Sequence, residues 1–191
     1  DGTQKKGQLN DGSGTTPTLM DDRFVIIADN DQGQINLNVY SQDDGRLVNR
    51  LPLFEKDGSA CENSVVAYKN SLFIGNTYNY TDPFDFNDTP GGIDRYDFDS
   101  DSGKFEKVEN WPAEDIDAKT ATPKMSTQTG VIYVYNREEQ SDDGHNDWQL
   151  TALDYETGRK VFYIRPEFEK GEFKDNIFFL MKSFSLGLKN Y

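Results

Sequence analysis

The sequence predicts an all-β protein, a β-propeller built from four-stranded antiparallel blades. It consists of short apolar runs of strand length with almost no helical periodicity, and these runs fall into groups of four. A glycine turn separates the third and fourth run of each group, in "QDDGRL", "SDSGKF" and "YETGRK". The turn glycines Gly45, Gly103 and Gly158 are 58 and 55 residues apart. A blade typically takes roughly 40 to 50 residues, so this repeat is slightly long for a propeller.

The first predicted blade covers residues 15–54. "GSGTTPTLM" leads the chain into an inner strand, and "RFVIIAD" follows as a short apolar run. In "INLNVYS" apolar and polar residues alternate, which is typical of a half-buried strand. "RLVNRLPLF" leaves the glycine turn as the fourth strand.

The second and third predicted blades cover residues 62–111 and 120–165. They begin with "ENSVVAY" and "ATPKMS" and repeat the plan of the first blade, with longer loops between their second and third strands. We expect residues 1–11 to form a flexible leader, residues 12–191 the propeller segment, and residues 166–191 a partial fourth blade. Three to four blades do not close a typical ring, so the sequence predicts a partial ring or one completed by another chain. The alternative fold is a β-sandwich, which has similar strands and turns but needs no internal repeat.

Composition indicates a folded, acidic protein. The 191 residues carry a formal net charge of −14, and 13% of them are aromatic, which a disordered acidic chain would lack. A surface of this charge repels phosphate backbones, so we expect no nucleic-acid partner. No apolar run approaches the roughly 18 residues of a membrane span. The chain begins without methionine, as a trimmed product does, and we expect an extracytoplasmic location, periplasmic or secreted.

Several segments together resemble a known family. "LTALDYETGRKVF" (150–162) resembles the repeat of PQQ-like β-propellers, the quinoprotein-dehydrogenase-like group. "GSGTTPTLM", "ENSVV" and "ATPKMSTQTGVIY" are also similar to segments of propellers of this type. The resemblance implies the fold. Members that hold pyrroloquinoline quinone use a pair of adjacent cysteines, a tryptophan platform and a calcium site. This chain has only Cys61, and Trp111 and Trp148 are assigned to packing, so we expect no quinone.

A propeller arrangement predicts one ligand-binding face. The residues that lead into the inner strands lie at the channel mouth, and we select Thr16, Glu62, Asn63 and Thr122 as its ligand-binding residues. The loops at 29–34, 76–92 and 136–148 are expected to surround the same mouth. A carboxylate beside an amide oxygen suits Ca²⁺, so Glu62 and Asn63 are also the candidate metal ligands. The alternative is that both side chains cap a strand and bond to neighbouring loops.

Other polar clusters are interpreted as structural. "DFDSDSG" (97–103) alternates aspartates but lacks the glycine and glutamate positions of a calcium-binding loop, so it predicts a polar hairpin. His145 and its neighbouring aspartates form an acidic loop, and nothing in the sequence supports a hydrolytic triad. Cys61 stands beside Glu62, which disfavours a thiolate, and is interpreted as a packing residue. Asn79 and Asn87 begin glycosylation sequons, a triplet that arises often by chance.

Three functions follow as hypotheses. The first is a non-catalytic binding or scaffold module, because the aromatic loop "TYNYTDPFDF" suits contact with a protein partner or small ligand. The second is a calcium-dependent enzyme, a lactonase-like hydrolase, with its channel site at Glu62 and Asn63. The third is a structural subunit that assembles through open blade edges.

The periodicity also predicts a core. The residues expected to be largely buried are Phe24, Ile26, Val39, Val65, Phe73, Ile93, Tyr96, Ile132, Val134, Leu150, Leu153 and Val161.

Overall fold

A computed structural model describes residues 12–79, 91–111, 113, 116–118, 121–137 and 148–165. This part of the chain is all-β and forms three four-stranded antiparallel sheets. It contains no helix, and therefore none long and apolar enough to span a membrane. The predicted leader 1–11 and the predicted partial blade 166–191 lie outside the described residues.

Each sheet is a meander whose strands pair in chain order. Sheet A contains β1 (Thr18–Met20), β2 (Phe24–Ala28), β3 (Asn36–Ser41) and β4 (Leu47–Pro52). Sheet B contains β5 (Val66–Tyr68), β6 (Ser71–Gly75), β7 (Ile93–Asp99) and β8 (Lys104–Lys107). Sheet C contains β9 (Lys124–Ser126), β10 (Val131–Arg137), β11 (Trp148–Asp154) and β12 (Lys160–Ile164). The all-β class and the repeated four-stranded unit are therefore confirmed.

Sheet B separates two hydrophobic cores. On one side Leu72 and Ile74 of β6 pack against sheet A and share a core with Ile26 of β2. On the other side Phe73, the residue between them, packs against sheet C, together with Ile132. Since successive side chains of a strand point to opposite faces, one strand serves both cores.

Aromatic rings pack against one another in both cores. The ring of Phe24 lies 5.1 Å from that of Phe98 and 5.5 Å from that of Phe105. In the second core the ring of Trp111 lies 5.4 Å from that of Phe73. Such pairs add to stability beyond the area they bury. Trp111 and Trp148 are both buried, so the packing role expected for them is confirmed.

Ten of the twelve predicted core residues are buried, and Leu150 and Val161 are not. Val161 is 57% exposed and lies on β12, all of whose residues are exposed at the edge of sheet C. Leu150 is half-buried, on the face of β11 turned away from sheet B. Both predictions were wrong because no described element covers that edge and that face of sheet C.

The turns between third and fourth strands share one geometry. In each, the amide of the glycine donates to the carbonyl four residues earlier: Gly45 to Ser41 at 3.0 Å, Gly103 to Asp99 at 2.9 Å and Gly158 to Asp154 at 2.8 Å. The three glycines have φ of 71°, 70° and 69°, the left-handed region that suits glycine. The predicted turn alignment is confirmed, and 97–103 forms the predicted polar hairpin.

The sheets have two kinds of end. In sheet A the start of β1 lies beside the end of β2, since Thr18 pairs with Ile26, and the long loop to β3 leaves there. We call this the loop end; in every sheet it is where the first strand begins and the second strand finishes. The opposite end, which holds the glycine turns, is the turn end.

Candidate functional site

Three hydroxyl-bearing residues join the sheets at the loop end. Thr16, Ser64 and Thr122 each lie two positions before the first strand of their sheet. The amide of Thr16 donates to Ser64 Oγ at 3.1 Å, and the amide of Ser64 donates to Thr122 Oγ1 at 3.2 Å. The same hydrogen bond is thus made twice, between equivalent positions of consecutive sheets. It brings the starts of β1, β5 and β9 side by side.

Asn63 and Glu62 lie next to this chain of bonds. The Asn63 side chain is buried, and its Nδ2 donates to the carbonyl of Ala118 at 3.2 Å. The Glu62 carboxylate lies so close to Gly14 that any side chain at position 14 would overlap it. Asn63 therefore holds the segment that precedes β9, and Glu62 packs on the segment that precedes β1.

The structure thus brings all four predicted site residues to one end, with one difference in register. Because β5 begins at Val66, the residue level with Thr16 and Thr122 is Ser64, one position beyond Asn63 and two beyond Glu62. Sequence reasoning missed Ser64, although a signal was present: a hydroxyl occupies the second position before the strand in "TPT", "SVV" and "TPK". The predicted ligand-binding role of Thr16, Glu62, Asn63 and Thr122 stays a prediction.

The loop at 29–34 is ordered by a carboxylate. Asp29 Oδ2 accepts hydrogen bonds from Asn38 Nδ2 at 3.1 Å and Arg50 Nη2 at 3.0 Å, and its Oδ1 accepts one from the Asn36 amide at 2.8 Å. Arg50 also contacts Asp31 at 2.7 Å. These bonds fix both sides of the loop to the third and fourth strands of sheet A.

The two longer loops leave from the same end as the first. The Gly92 amide donates to the Ile116 carbonyl at 2.9 Å, and Asp117 forms an isolated β-bridge and a 3.7 Å ion pair with Arg137. The segment 116–118 therefore lies beside the end of the 76–92 loop and the start of the 136–148 loop. Both loops leave from one end, as predicted. Residues 80–90 and 138–147 lie outside the described part of the chain, and with them Tyr80, Phe84, Phe86, Asn87 and His145.

At the turn end, Tyr155 of the "ALDYETG" turn joins sheet C to sheet B. Its carbonyl accepts hydrogen bonds from Arg95 Nη1 at 2.8 Å and Trp111 Nε1 at 3.1 Å. Its hydroxyl accepts one from Lys69 Nζ at 2.6 Å, and its ring meets that of Tyr68 edge-on at 4.9 Å. Sequence reasoning found the turn but not these contacts, whose partners are 44 to 87 residues away in the chain. These contacts give the turn a structural role, since they connect sheet C to sheet B.

The polar groups just before the first strands, Cys61, Asn63, Ser64 and Thr122, are neutral and hydrogen-bonded. Burial raises the pKa of the Cys61 thiol to about 12, and Cys61 Sγ donates to the Asn63 carbonyl at 2.9 Å, which confirms a packing role. Within the described ranges no three His, Cys, Asp or Glu side chains come together in a way that could hold a metal ion. The hydroxyls of Ser64 and Thr122 accept hydrogen bonds from backbone amides.

The chain is similar to an uncharacterized protein of Archaeoglobus fulgidus, with 28% identity over 198 residues. The alignment covers 86% of this chain and 37% of that protein, so the chain spans little more than a third of the length of the relative it matches. No protein-family model matches the chain.

Proposed function

We propose that the three sheets are adjoining blades of a β-propeller, and that the chain is a non-catalytic recognition module of an extracytoplasmic protein. A protein partner or a small ligand binds at the loop end. The observation that supports this is the repeated hydrogen bond from Thr16 to Ser64 and from Ser64 to Thr122. A bond repeated between equivalent positions relates each sheet to the next by nearly the same movement, which is how propeller blades are related.

The state of the polar groups favours recognition over catalysis. Asn63 and Ser64 are engaged in bonds that connect sheets, and the Cys61 thiol is buried with a raised pKa. A nucleophile or general base needs a lone pair directed at a substrate, whereas these groups face the protein. Exposed groups at this end, such as Gln32, lie on loops, and binding residues concentrate on loops held by a rigid scaffold.

Site-specific photo-cross-linking tests this proposal. A photoreactive amino acid replaces Gln32 at the loop end, and a matched chain has it at Asp101, an exposed residue at the turn end. We expect adducts with native-host extract from position 32 only, and their loss when excess unmodified protein is added. Equal labelling from both positions, or labelling from position 101 alone, would contradict recognition at the loop end.

The alternative is a calcium-dependent enzyme with its site at Glu62 and Asn63. A thermal melt distinguishes it from the recognition module. We expect the melting temperature to be the same with and without Ca²⁺, because the Asn63 amide is buried and bonded to Ala118. A rise in melting temperature with Ca²⁺ that Glu62→Gln abolishes would favour the enzyme, and Asp101→Asn serves as the matched loss of one carboxylate.

One observation favours a second function, assembly through an open sheet face. On the face of sheet A turned away from sheet B, an apolar row crosses all four strands in register: Leu19, Val25, Tyr40 and Leu47. Leu19 is 67% and Leu47 50% exposed. If this face joins another chain, sedimentation will show association that Leu19→Ser with Leu47→Ser removes; Thr127→Ser at an exposed turn is the control.

A further inference from the structure

The fourth strand of sheet C, β12, is an edge strand with exposed apolar side chains. Within the described part of the chain, no strand pairs with it on the side away from β11. Val161 is 57%, Phe162 42%, and Tyr163 and Ile164 each 54% exposed. A strand at the edge of a sheet directs backbone N–H and C=O groups outward, where another strand can pair with them. β12 therefore presents a backbone edge together with apolar side chains.

The fourth strands of the other two sheets are protected against such pairing. Three of the four residues of β8 are charged, and the amide of its Phe105 donates to Asn49 Oδ1 of β4 at 2.6 Å. β4 contains Arg50 and ends at Pro52. Charged side chains and proline are common means by which proteins prevent pairing at a sheet edge. β12 has one charged residue, Lys160 at its first position, so its edge lacks this protection.

Basic residues lie at both ends of this exposed strand. Arg159 and Lys160 lie at its start, Arg165 directly follows its last residue, and all three are exposed. Residues 159–165 carry three positive charges and no negative one, in a chain whose net charge is −14. Surface charges act over about 8 Å at physiological ionic strength. A segment that pairs with β12 therefore meets this local positive charge more strongly than the net charge of the chain.

We infer that β12 binds an extended segment of a partner protein, which adds to sheet C as a fifth strand and has apolar residues between acidic ends. Backbone hydrogen bonds to β12 hold such a segment, and side chains on the two faces select it. Phe162 and Ile164 lie on the face turned away from sheet B, where the ring of Phe162 is 6.3 Å from that of Tyr133. The acidic ends of the segment pair with the basic residues at the two ends of β12.

A second copy of this chain fits the edge less well. In antiparallel pairing of β12 with β12 of another copy, Lys160 would lie opposite or diagonal to Arg165. In parallel, in-register pairing, each basic residue would lie near its own counterpart. Like charges at opposed positions of paired strands are destabilising. The inference concerns the edge of sheet C and does not depend on what binds at the loop end.

Binding of synthetic peptides to the full chain tests the inference. The probe is a fluorescein-labelled peptide, EEVTVTVEE, and the matched peptides are KKVTVTVKK and EEVTVTVEE methylated on the backbone nitrogens of its five central residues. In fluorescence anisotropy we expect the probe to bind at least about tenfold more tightly than either matched peptide, because only the probe offers both acidic ends and backbone donors. Bound probe should also slow hydrogen exchange of the backbone amides of residues 161–164.

Reversal of charge in the chain is the second arm of the test. Arg159→Glu with Lys160→Glu should weaken binding of the probe at least about tenfold, since one acidic end then meets like charge. Arg46→Glu with Lys104→Glu makes the same change of charge directly after the glycine turns of sheets A and B. These two residues are also exposed, and their substitution should change the affinity by less than about twofold.

Several results would overturn the inference. They are no binding of the probe, equal affinities for the acidic and basic peptides, undiminished binding of the methylated peptide, and slowed exchange confined to strands other than β12. Dimerisation in sedimentation that Tyr163→Lys removes would also overturn it, because a second copy then occupies the edge. Failure of cross-linking from position 32 bears on the proposed function alone.

Discussion

The smallest repeated feature of this molecule is a single hydroxyl per sheet. Ser64 Oγ accepts a hydrogen bond from the Thr16 amide, and the Ser64 amide donates one to Thr122 Oγ1. This one residue therefore connects sheet A to sheet C. Hydrogen bonds of this kind contribute about 0.5–1.5 kcal/mol each. They are individually weak, but they fix the register between sheets where hydrophobic packing alone does not.

Removing these acceptors should lower stability in a predictable order. We expect Thr122→Val, which leaves the half-buried Ser64 amide without its acceptor, to lower the free energy of unfolding by about 1–2 kcal/mol. Ser64→Ala should cost about 0.5–1.5 kcal/mol, since water replaces it more easily at the exposed Thr16 amide. Thr16→Val, at the equivalent exposed position, should change it by less than about 0.5 kcal/mol. Urea titration measures all three. A Thr16→Val effect as large as that of Thr122→Val would contradict this assignment.

Sequence reasoning reached part of this site and missed part of it for a physical reason. Thr16 and Thr122 precede equivalent strands and share a Thr-Pro step, so both can be identified from the sequence pattern. Ser64 is followed by Val65 where the other units have proline, and the neighbouring Glu62 and Asn63 are chemically more conspicuous. Which polar residue lies level with the others depends on where β5 begins, and a boundary is uncertain by a few residues when read from sequence.

At the scale of elements, the described strands all lie within the predicted blades 15–54, 62–111 and 120–165. The alternation is clearest in β10, whose residues are buried and half-buried in turn. The prediction of burial fails for Val161 and Leu150, because an apolar pattern shows which residues share a face but not whether that face is covered. A prediction of burial therefore holds only where a neighbouring sheet exists.

The turn of sheet C gives a prediction about pH. Hydrogen bonds from the Thr157 side chain and backbone hold the pKa of Asp154 below its ordinary value of 3.8. A lowered pKa stabilises the folded state above the unfolded-state pKa, and the contribution is lost as pH falls through the folded-state value. We expect Thr157→Val to be less stable than the unsubstituted chain by under about 1 kcal/mol at pH 7, because the pair is exposed. The difference should shrink towards zero near pH 2 in urea titrations. Thr127→Val should show no such change, and a difference that grew on acidification would contradict the assignment.

The close approach of β6 to Ala118 gives a prediction about packing. A Cβ at Gly75, the last residue of β6, would lie 3.1 Å from Ala118 Cβ and 3.2 Å from Ala118 O. The Ala118 carbonyl also accepts the hydrogen bond from Asn63, so it is not free to move. Gly75→Ala should therefore destabilise the protein by about 1–3 kcal/mol through overpacking. Gly12→Ala, at a glycine with no atom within 4 Å of its added Cβ, is the control. Equal melting temperatures for the two variants would show that the contact is looser than described.

At the scale of the whole molecule, sheet B is the element on which the arrangement depends. It packs with one face on sheet A and with the other on sheet C, whereas A and C each have one face uncovered by described residues. The sequence predicted three similar units and could not distinguish them in this respect, because their patterns are alike. The difference arises from their order in the chain.

This asymmetry predicts cooperative unfolding centred on β6. Leu72 and Phe73 are both fully buried and adjacent, but Leu72 packs in the core shared with sheet A and Phe73 in the core shared with sheet C. Substitution of either by alanine should lower the free energy of unfolding by about 2–5 kcal/mol and leave a single transition.

Hydrogen exchange reports the same coupling residue by residue. In both variants we expect faster exchange of backbone amides in sheets A and C alike, including the sheet that the substituted side chain does not contact. Val161→Ala, on the exposed edge strand, should leave exchange in sheet A unchanged, since its side chain is already 57% exposed. If Leu72→Ala accelerates exchange in sheet A only, and Phe73→Ala in sheet C only, the two cores unfold separately. Sheet B would then be a shared boundary, and the three sheets would not form one cooperative unit.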